Sequence, residues 1–538
     1  MSVVEAVKSS GIVAPQPTSP PTKIPWLGNF AVLMGTFIST LNGRLSSFGL
    51  ADIRGAVGAG FDEGAWITTA QTSAQMLITL IAIWLAAAFG TRKVLIAAST
   101  LFATISLLTP FCTTLPMLLV MQFIGGLATG CFIPLTLGYI LTTTPPKYWA
   151  FGIALYALHL ELSLNISASL EGWYVDHLSW QWIYWQNVPL ALLMTLCLYR
   201  GIAPKVITIR PPLDLFGLTA GGAGLALIYA ALDQGNRLDW LNSGLIWGLL
   251  IAGFILLVGF FIHEARTPIP LLKLEVAGES TLLLQFVLVA FLRLTIQSTG
   301  LLIPLFLGSV RGFRALETGD TLIWIAIPQL LFCPLAGLML RRSDPRLVAS
   351  IGFIFIASAC LMVGFELTPL WGSREFLPSQ LLQALGQSFA LSAVVFFGIL
   401  QIRLQDVLTF GAVLQTARVF GGEAGNAFMQ TLARVRGQVA SNLIGQHVTV
   451  GDPSVIERVG AYGAATTRVI DPETALSRGE FVLGNVVRAA ATTQAVIDCF
   501  MIVGALTAVT LILVVFRPAA PKGPASAPPL FPSEPAAS

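Results

Sequence analysis

The sequence predicts an all-α integral membrane protein with fourteen transmembrane helices, and three observations carry that prediction. First, 55% of its 538 residues are hydrophobic and 11% are charged, with a mean hydropathy of +0.79. A soluble domain is about 25% charged because water must wet its surface. Second, the apolar residues fall in runs of about 20, the length that crosses a hydrocarbon core of roughly 30 Å. Third, Gly and Pro occur inside these runs, which suits helices and not the alternating strands of about 10 residues found in a membrane barrel.

Taken in order, the predicted spans are 26–49, 65–89, 94–112, 116–142, 149–171, 182–200, 214–233, 243–263, 281–307, 320–340, 346–366, 377–401, 406–432 and 491–516. An even number returns both termini to one side. Lys8, Lys23, Arg92, Lys93, Lys147, Arg200, Lys205, Arg210, Arg266, Lys273, Arg341, Arg342, Arg346, Arg403, Arg517 and Lys522 fall on the side of the termini, against Arg54, Arg237, Arg311, Arg314 and Arg374 in the short opposite loops. Basic loops stay inside, so both termini are expected in the cytoplasm. The polar, Pro-containing residues 1–25 form an N-terminal tail rather than a cleavable signal peptide. Residues 433–490 form an extracytoplasmic loop with short amphipathic helices, and the Pro/Ala/Ser-rich stretch 517–538 is a disordered cytoplasmic tail.

A weak internal symmetry divides the rest. "AAAFGTRK" (86–93) after the second span parallels "AGLMLRRSDPR" (336–346) after the tenth. Repeated halves around a substrate site are the usual construction of secondary transporters. The spacing fits an N-terminal six-helix bundle over 26–201, two extra helices within 202–264, and a second bundle of helices 9–13 (265–432) closed by the last span, 491–516.

The six cysteines (Cys112, Cys131, Cys197, Cys333, Cys360, Cys499) form no CxxC pair and read as buried or lipid-facing thiols. There is no P-loop, no metal-ligand cluster and no nucleophile–base constellation. The chain is expected to be no enzyme, to need no cofactor and to bind no nucleic acid. Its energy would come from an ion gradient or from the substrate's own gradient.

Polar residues inside the spans mark the candidate site. An ionisable group at mid-bilayer costs on the order of 3 kcal/mol and is expected to face a cavity or a partner. Arg44, His159, Glu161, Arg293, Arg418, Glu423 and Asp498 are such groups. In "LHLELSLNIS" (158–167), Glu161 and Asn165 share a helical face, with His159 nearly opposite. Stripes of Gln71 and Gln75 on span 2, Arg293 and Gln297 on span 9, Gln383 and Gln387 on span 12, and Arg418 on span 13 line the same expected pathway. Gly126/Gly130 and Gly421/Gly425 spell GxxxG, but 50 glycines make chance matches common. The sequon at Asn165 is set aside because it falls inside the bilayer.

The stretches "GWYVDHLSWQWIYWQNVP" (172–189), "LDLFGLTAGGAGLALIYAALDQG" (213–235), "GAVLQTARVFGGEAGNAFMQTL" (411–432) and "QAVIDCF" (494–500) resemble the fourteen-helix drug:proton antiporter branch of the major facilitator superfamily. The resemblance covers most of residues 26–516. It implies the major facilitator fold, with two six-helix bundles plus two extra helices, a central cavity and alternating access. It also implies a bacterial inner-membrane location, with a periplasmic adaptor protein and an outer-membrane channel as partners. Signature positions have changed, however. The family's span 1 acid aligns with Asn42, its span 4 arginine with Gln122, and the span 5 Gly-Pro is reduced to Gly172. The loop after span 2 retains Gly90, Arg92 and Lys93 as a cytoplasmic gate, with Ala87 and Ile83 at other signature positions. A relocated charge pair is therefore expected, with Arg44 facing Glu161.

The reading that follows is a secondary exporter of an amphipathic organic compound or drug, working in exchange for protons. An uncoupled exporter of an organic anion, drawn by Arg44, Arg293 and Arg418, is an alternative. A non-transporting membrane scaffold or sensor is another.

Overall fold

The structure is a computed structural model that describes residues 24–204, 212–267, 270, 280–402, 406–449, 451–464 and 472–517. The two terminal tails therefore lie outside the described residues, except for residues 24, 25 and 517. All described regular structure is helical. We number the long rods in chain order: α1 (Trp26–Phe48), α2 (Trp66–Phe89), α3 (Thr91–Leu108), α4 (Leu115–Gly130 and Phe132–Thr143), α5 (Trp149–His177), α6 (Trp182–Trp185 and Asn187–Gly201) and α7 (Leu215–Gly235). They continue with α8 (Gly244–Arg266), α9 (Ser280–Gln297, Ser298–Leu302 and Ile303–Val310), α10 (Ala315–Leu340), α11 (Pro345–Glu366), α12 (Ser373–Ile399), α13 (Val407–Gly445) and α14 (Pro472–Val515). Eleven described helices are long and apolar enough to cross a membrane. The other rods, α1, α6 and α13, stand where spans were expected.

Proline explains where the rods break. A proline cannot donate to the carbonyl four residues before it, and its ring crowds that carbonyl. Pro134 frees the carbonyl of Gly130, and α4 breaks at Cys131. Pro189 frees that of Trp185, where α6 is interrupted. Pro304 frees that of Gly300, inside the π-helical turn Ser298–Leu302 of α9. Gly90 ends α2 at φ 89°, a conformation that costs a side chain but not glycine, and the chain turns directly into α3.

The rods pack as two bundles. In the first, α1 contacts α4, α5 and α6, α2 lies on α4, and α3 lies on α4 and α6. In the second, α11 lies on α12 and α14, α9 on α12 and α13, and α10 on α12. Two seams join them. On one, α5 runs against α10 and α12; on the other, α13 meets α2 and α4, with α7 packed against both α2 and α13. We call the face holding the Trp26 and Val515 ends the terminal face, and its opposite the distal face.

Three features differ from expectation. The GxxxG pairs are true packing sites. A Cβ on Gly126 would sit 2.1 Å from the Gln71 carbonyl, and one on Gly130 2.8 Å from Gln75 Cα. A Cβ on Gly421 would lie 2.4 Å from Ala290 Cα, and one on Gly425 2.7 Å from Leu294 Cα. These glycines let backbones approach closely, so their spacing was not chance. Second, the predicted 433–490 loop is much shorter: α13 continues to Gly445 and α14 begins at Pro472, with one short helix, Pro453–Ala464, packed against α14. Third, Asp498 is paired with Arg436 (2.6 Å) across this α13–α14 hairpin. All six cysteines are free and buried, as expected.

Candidate functional site: a charge cluster between the bundles

Glu161 lies midway along α5, fully buried, and its Oε1 is 2.9 Å from Nη1 of Arg293 on α9. The acid belongs to the first bundle and the base to the second. The partner of Glu161 is therefore Arg293 and not the expected Arg44. The reason lies in the backbone of α9. The Gly300 carbonyl orphaned by Pro304 needs a donor, and Nη2 of Arg44 supplies one at 3.2 Å. Arg44 also lies over the Phe48 ring, 5.4 Å from its centroid. It remains near enough for its charge to act on Glu161, as does Arg418 of α13. Within this cluster Oε2 of Glu161, Nε of Arg293 and Nε of Arg44 find no hydrogen-bond partner among the described residues.

Below the ion pair runs a chain of carboxamides. Nδ2 of Asn165 reaches the Glu161 carbonyl (2.9 Å), Oε1 of Gln329 on α10 (3.3 Å) and Oε1 of Gln387 on α12 (3.4 Å). Nε2 of Gln329 donates to the same oxygen of Gln387 (3.2 Å). Gln387 continues to Thr299 (3.3 Å) and Gln383 (3.3 Å), and Gln383 to Ser298 (3.4 Å). Four helices from both bundles thus share one polar network. In a membrane such bonds are worth about 1–2 kcal/mol in model peptides, and about 0.6 on average in a folded protein.

The remaining candidates fall into separate groups. Gln297 donates to the Gly422 carbonyl (2.9 Å) and Arg418 to Gln415 (3.0 Å), both close to the ion pair. Glu423 accepts from Tyr229 of α7 and lies apart from Glu161. Asn42 accepts from Asn187 (2.8 Å) and Gln122 donates to Tyr184 (3.1 Å), so neutral pairs within the first bundle occupy the positions of the changed signature charges. Gln75 bonds Thr129 (3.0 Å), while both amide atoms of the buried Gln71 find no partner among the described residues. At the terminal face, Arg92 donates to the Tyr199 carbonyl (2.7 Å) and lies over that ring. Lys93 is exposed, and Gly90 forms the α2–α3 turn. His159 turns back to the Leu155 carbonyl at 2.7 Å.

Sequence reasoning missed Gln329, Asp233 and Tyr229. Gln329 follows Pro328 in an apolar span, and an isolated glutamine gives no stripe. Asp233 stood at the predicted edge of its span, where an acid needs no explanation.

Glu161 has no exposed surface, and Arg293 and Arg418 are buried beside it. The two bundles meet here on a polar, charge-bearing plane. The Major Facilitator Superfamily model matches residues 32–296. Those residues carry a Major Facilitator Superfamily domain. The probable multidrug resistance protein EmrY of Escherichia coli is 28% identical over 355 residues, 66% of this chain and 68% of that one. The multidrug export protein EmrB of Haemophilus influenzae is 23% identical over 451 residues, 81% of this chain and 87% of that one. Among solved structures, the human organic anion transporter MFSD10 superposes with a TM-score of 0.55 at 14% identity, covering 91% of this chain and 99% of that one. These similarities to proteins named for multidrug resistance and export are consistent with the drug:proton antiporter branch.

Proposed function

We propose that this major facilitator protein exports an amphipathic organic compound by alternating access, in exchange for protons, across a bacterial inner membrane. The relatives named for multidrug export support the substrate class. One observation carries the mechanism: the Glu161–Arg293 pair joins the two bundles, and each partner keeps one unsatisfied atom. A proton on Glu161, or a donor group of the substrate at Oε2, would weaken its hold on Arg293 and free the bundles to rock. The basic terminal-face loops support a cytoplasmic orientation of that face. The exposed row Val435, Val439 and Leu443 on the α13 extension offers an apolar face to an adaptor protein.

The test is transport by purified protein in liposomes, with and without a pH gradient. Ethidium accumulation driven by the gradient, falling at least about tenfold in Glu161→Gln, is the expected result; full pH-driven transport by that variant would refute the role of Glu161. Zero flux of any probe under every gradient would favour a scaffold. Orientation is checked separately with Ser10→Cys and an impermeant thiol reagent on intact cells, where no labelling is expected.

A second reading rests on charge. Arg44, Arg293 and Arg418 surround one central carboxylate, Glu161. That excess of positive charge suits an organic anion. Preference for 2-naphthoate over ethidium in the same liposomes would select this reading.

A further inference from the structure

The polar side chains of α7 gather where this helix meets α2 and α13, away from the Glu161 pair. Asp233 of α7 and Glu423 of α13 hold their carboxyls within hydrogen-bonding reach of each other. Tyr229 Oη donates to Glu423 Oε2 at 3.1 Å, and Asn426 Nδ2 to Glu423 Oε1 at 3.3 Å. The Thr69 hydroxyl of α2 donates to Asp233 Oδ2, which Gln234 Nε2 also reaches at 3.3 Å. Tyr229 is in reach of Thr72 on α2 as well. The charged groups facing the couple are Arg44 of α1 and Arg237 just beyond α7. Arg237 is itself paired with Asp62 (2.9 Å) at the distal surface. Among the described residues, no base forms an ion pair with Asp233 or Glu423.

An ionised carboxylate is only an acceptor, so two of them cannot bond each other. Held this close, two like charges cannot both ionise. At 4 Å the repulsion is about 4 kcal/mol at an effective dielectric constant of 20. A proton between them supplies the missing donor and removes the repulsion together.

We infer that the Asp233–Glu423 couple binds a single shared proton and is the distal-side carrier of the proton exchanged for substrate, a site distinct from Glu161–Arg293. This rests on the exchange reading above. Asp233 stands near the distal end of α7, below the Asp62–Arg237 pair, so distal water is its proton source. Arg44 is felt by both Glu423 and Glu161, which links the two sites electrostatically. When the passage opens toward the terminal face and α13 shifts against α7, the carboxyls part, Arg44 meets Glu423, and the proton passes to terminal-side water as hydronium. The otherwise supernumerary α7 thereby acquires a part in coupling.

Infrared titration of the full chain in lipid vesicles tests this without any substrate. A titrating protonated-carboxyl stretching band is expected that disappears in Glu423→Gln and in Asp233→Asn and persists in Glu161→Gln. A band unchanged in both of the first two variants would overturn the inference. In transport, these two near-isosteric variants should retain ethidium-for-ethidium exchange and lose about tenfold or more of the accumulation driven by a pH gradient; retained accumulation would also overturn it. If the wild-type protein moves no probe at all, the export reading fails, and the infrared result still decides whether the couple holds a proton.

Discussion

The two seams between the bundles are built from opposite materials. Along α5 and α10, backbone meets backbone. A Cβ on Gly172 would lie 2.4 Å from the Leu316 nitrogen, one on Gly319 2.5 Å from Ser169 Cα, and one on Gly337 2.9 Å from Ala154 Cβ. The contact is tight from the distal end to the terminal end. Along α2 and α13, the terminal half is apolar, with Leu80, Ile83 and Ala412 in contact, but the distal half is a lattice of Thr69, Asp233, Tyr229, Glu423 and Asn236 around α7. Polar side chains can trade partners for water at small net cost, whereas close-packed backbones cannot part without losing dispersion contacts outright. The lesson is that the α7 seam is suited to opening and the α5–α10 seam to staying closed or pivoting.

The largest effect should come from breaking the ion pair beside the tight seam. Glu161→Ala leaves Arg293 buried without its partner, a loss of about 3–5 kcal/mol for a buried pair. Thermal unfolding in detergent should show it, and Arg293→Met on the same background should recover part of the loss. Next, a close backbone approach and an open position predict opposite signs for one methyl group. Gly319→Ala drives Cβ into the Ser169 backbone and should cost about 1–3 kcal/mol. Gly422→Ala meets nothing within 4 Å and gains helix propensity of up to about 1 kcal/mol. Equal effects of the two substitutions on the unfolding midpoint would refute the close approach of α5 and α10 at Gly319. A smaller effect is expected for Arg44→Gln. It keeps a donor for the Gly300 carbonyl but removes a charge, so stability should change little while the pH dependence of transport shifts.

The smallest effect lies outside the membrane. Asp452 caps the helix Pro453–Ala464 by accepting from the amide and the hydroxyl of Ser454, both at 2.8 Å, and these bonds hold its carboxyl below the usual aspartate range. The stabilisation is therefore present above about pH 4 and is lost as pH falls through the lowered value. Limited proteolysis of this segment should speed up in acid, and Asp452→Ala should remove the pH dependence.

Much of the architecture was legible in the sequence because the bilayer allows so few solutions. Run length and Gly/Pro content gave the fourteen rods, and Glu161, Arg293 and Asn165 were marked by the cost of placing them in oil. Pairing was not legible. Choosing between Arg44 and Arg293 as the partner of Glu161 required knowing that Pro304 strands the Gly300 carbonyl within reach of Arg44. The glycine pairs were undervalued for a similar reason, since spacing alone does not say which backbone lies opposite. The α7 couple was hidden because its two acids lie on different helices, 190 positions apart.

The long α13 and α14 have a mechanical consequence. Their 39 and 44 residues correspond to roughly 58 and 66 Å of helix at 1.5 Å per residue, about twice the thickness of a bilayer core. Both are continuous through the second bundle and out of its distal face, so they act as a lever. A tilt of a few degrees at the membrane is magnified at the tip around Gly445, and a fluorophore pair placed there would follow each turnover from outside the lipid.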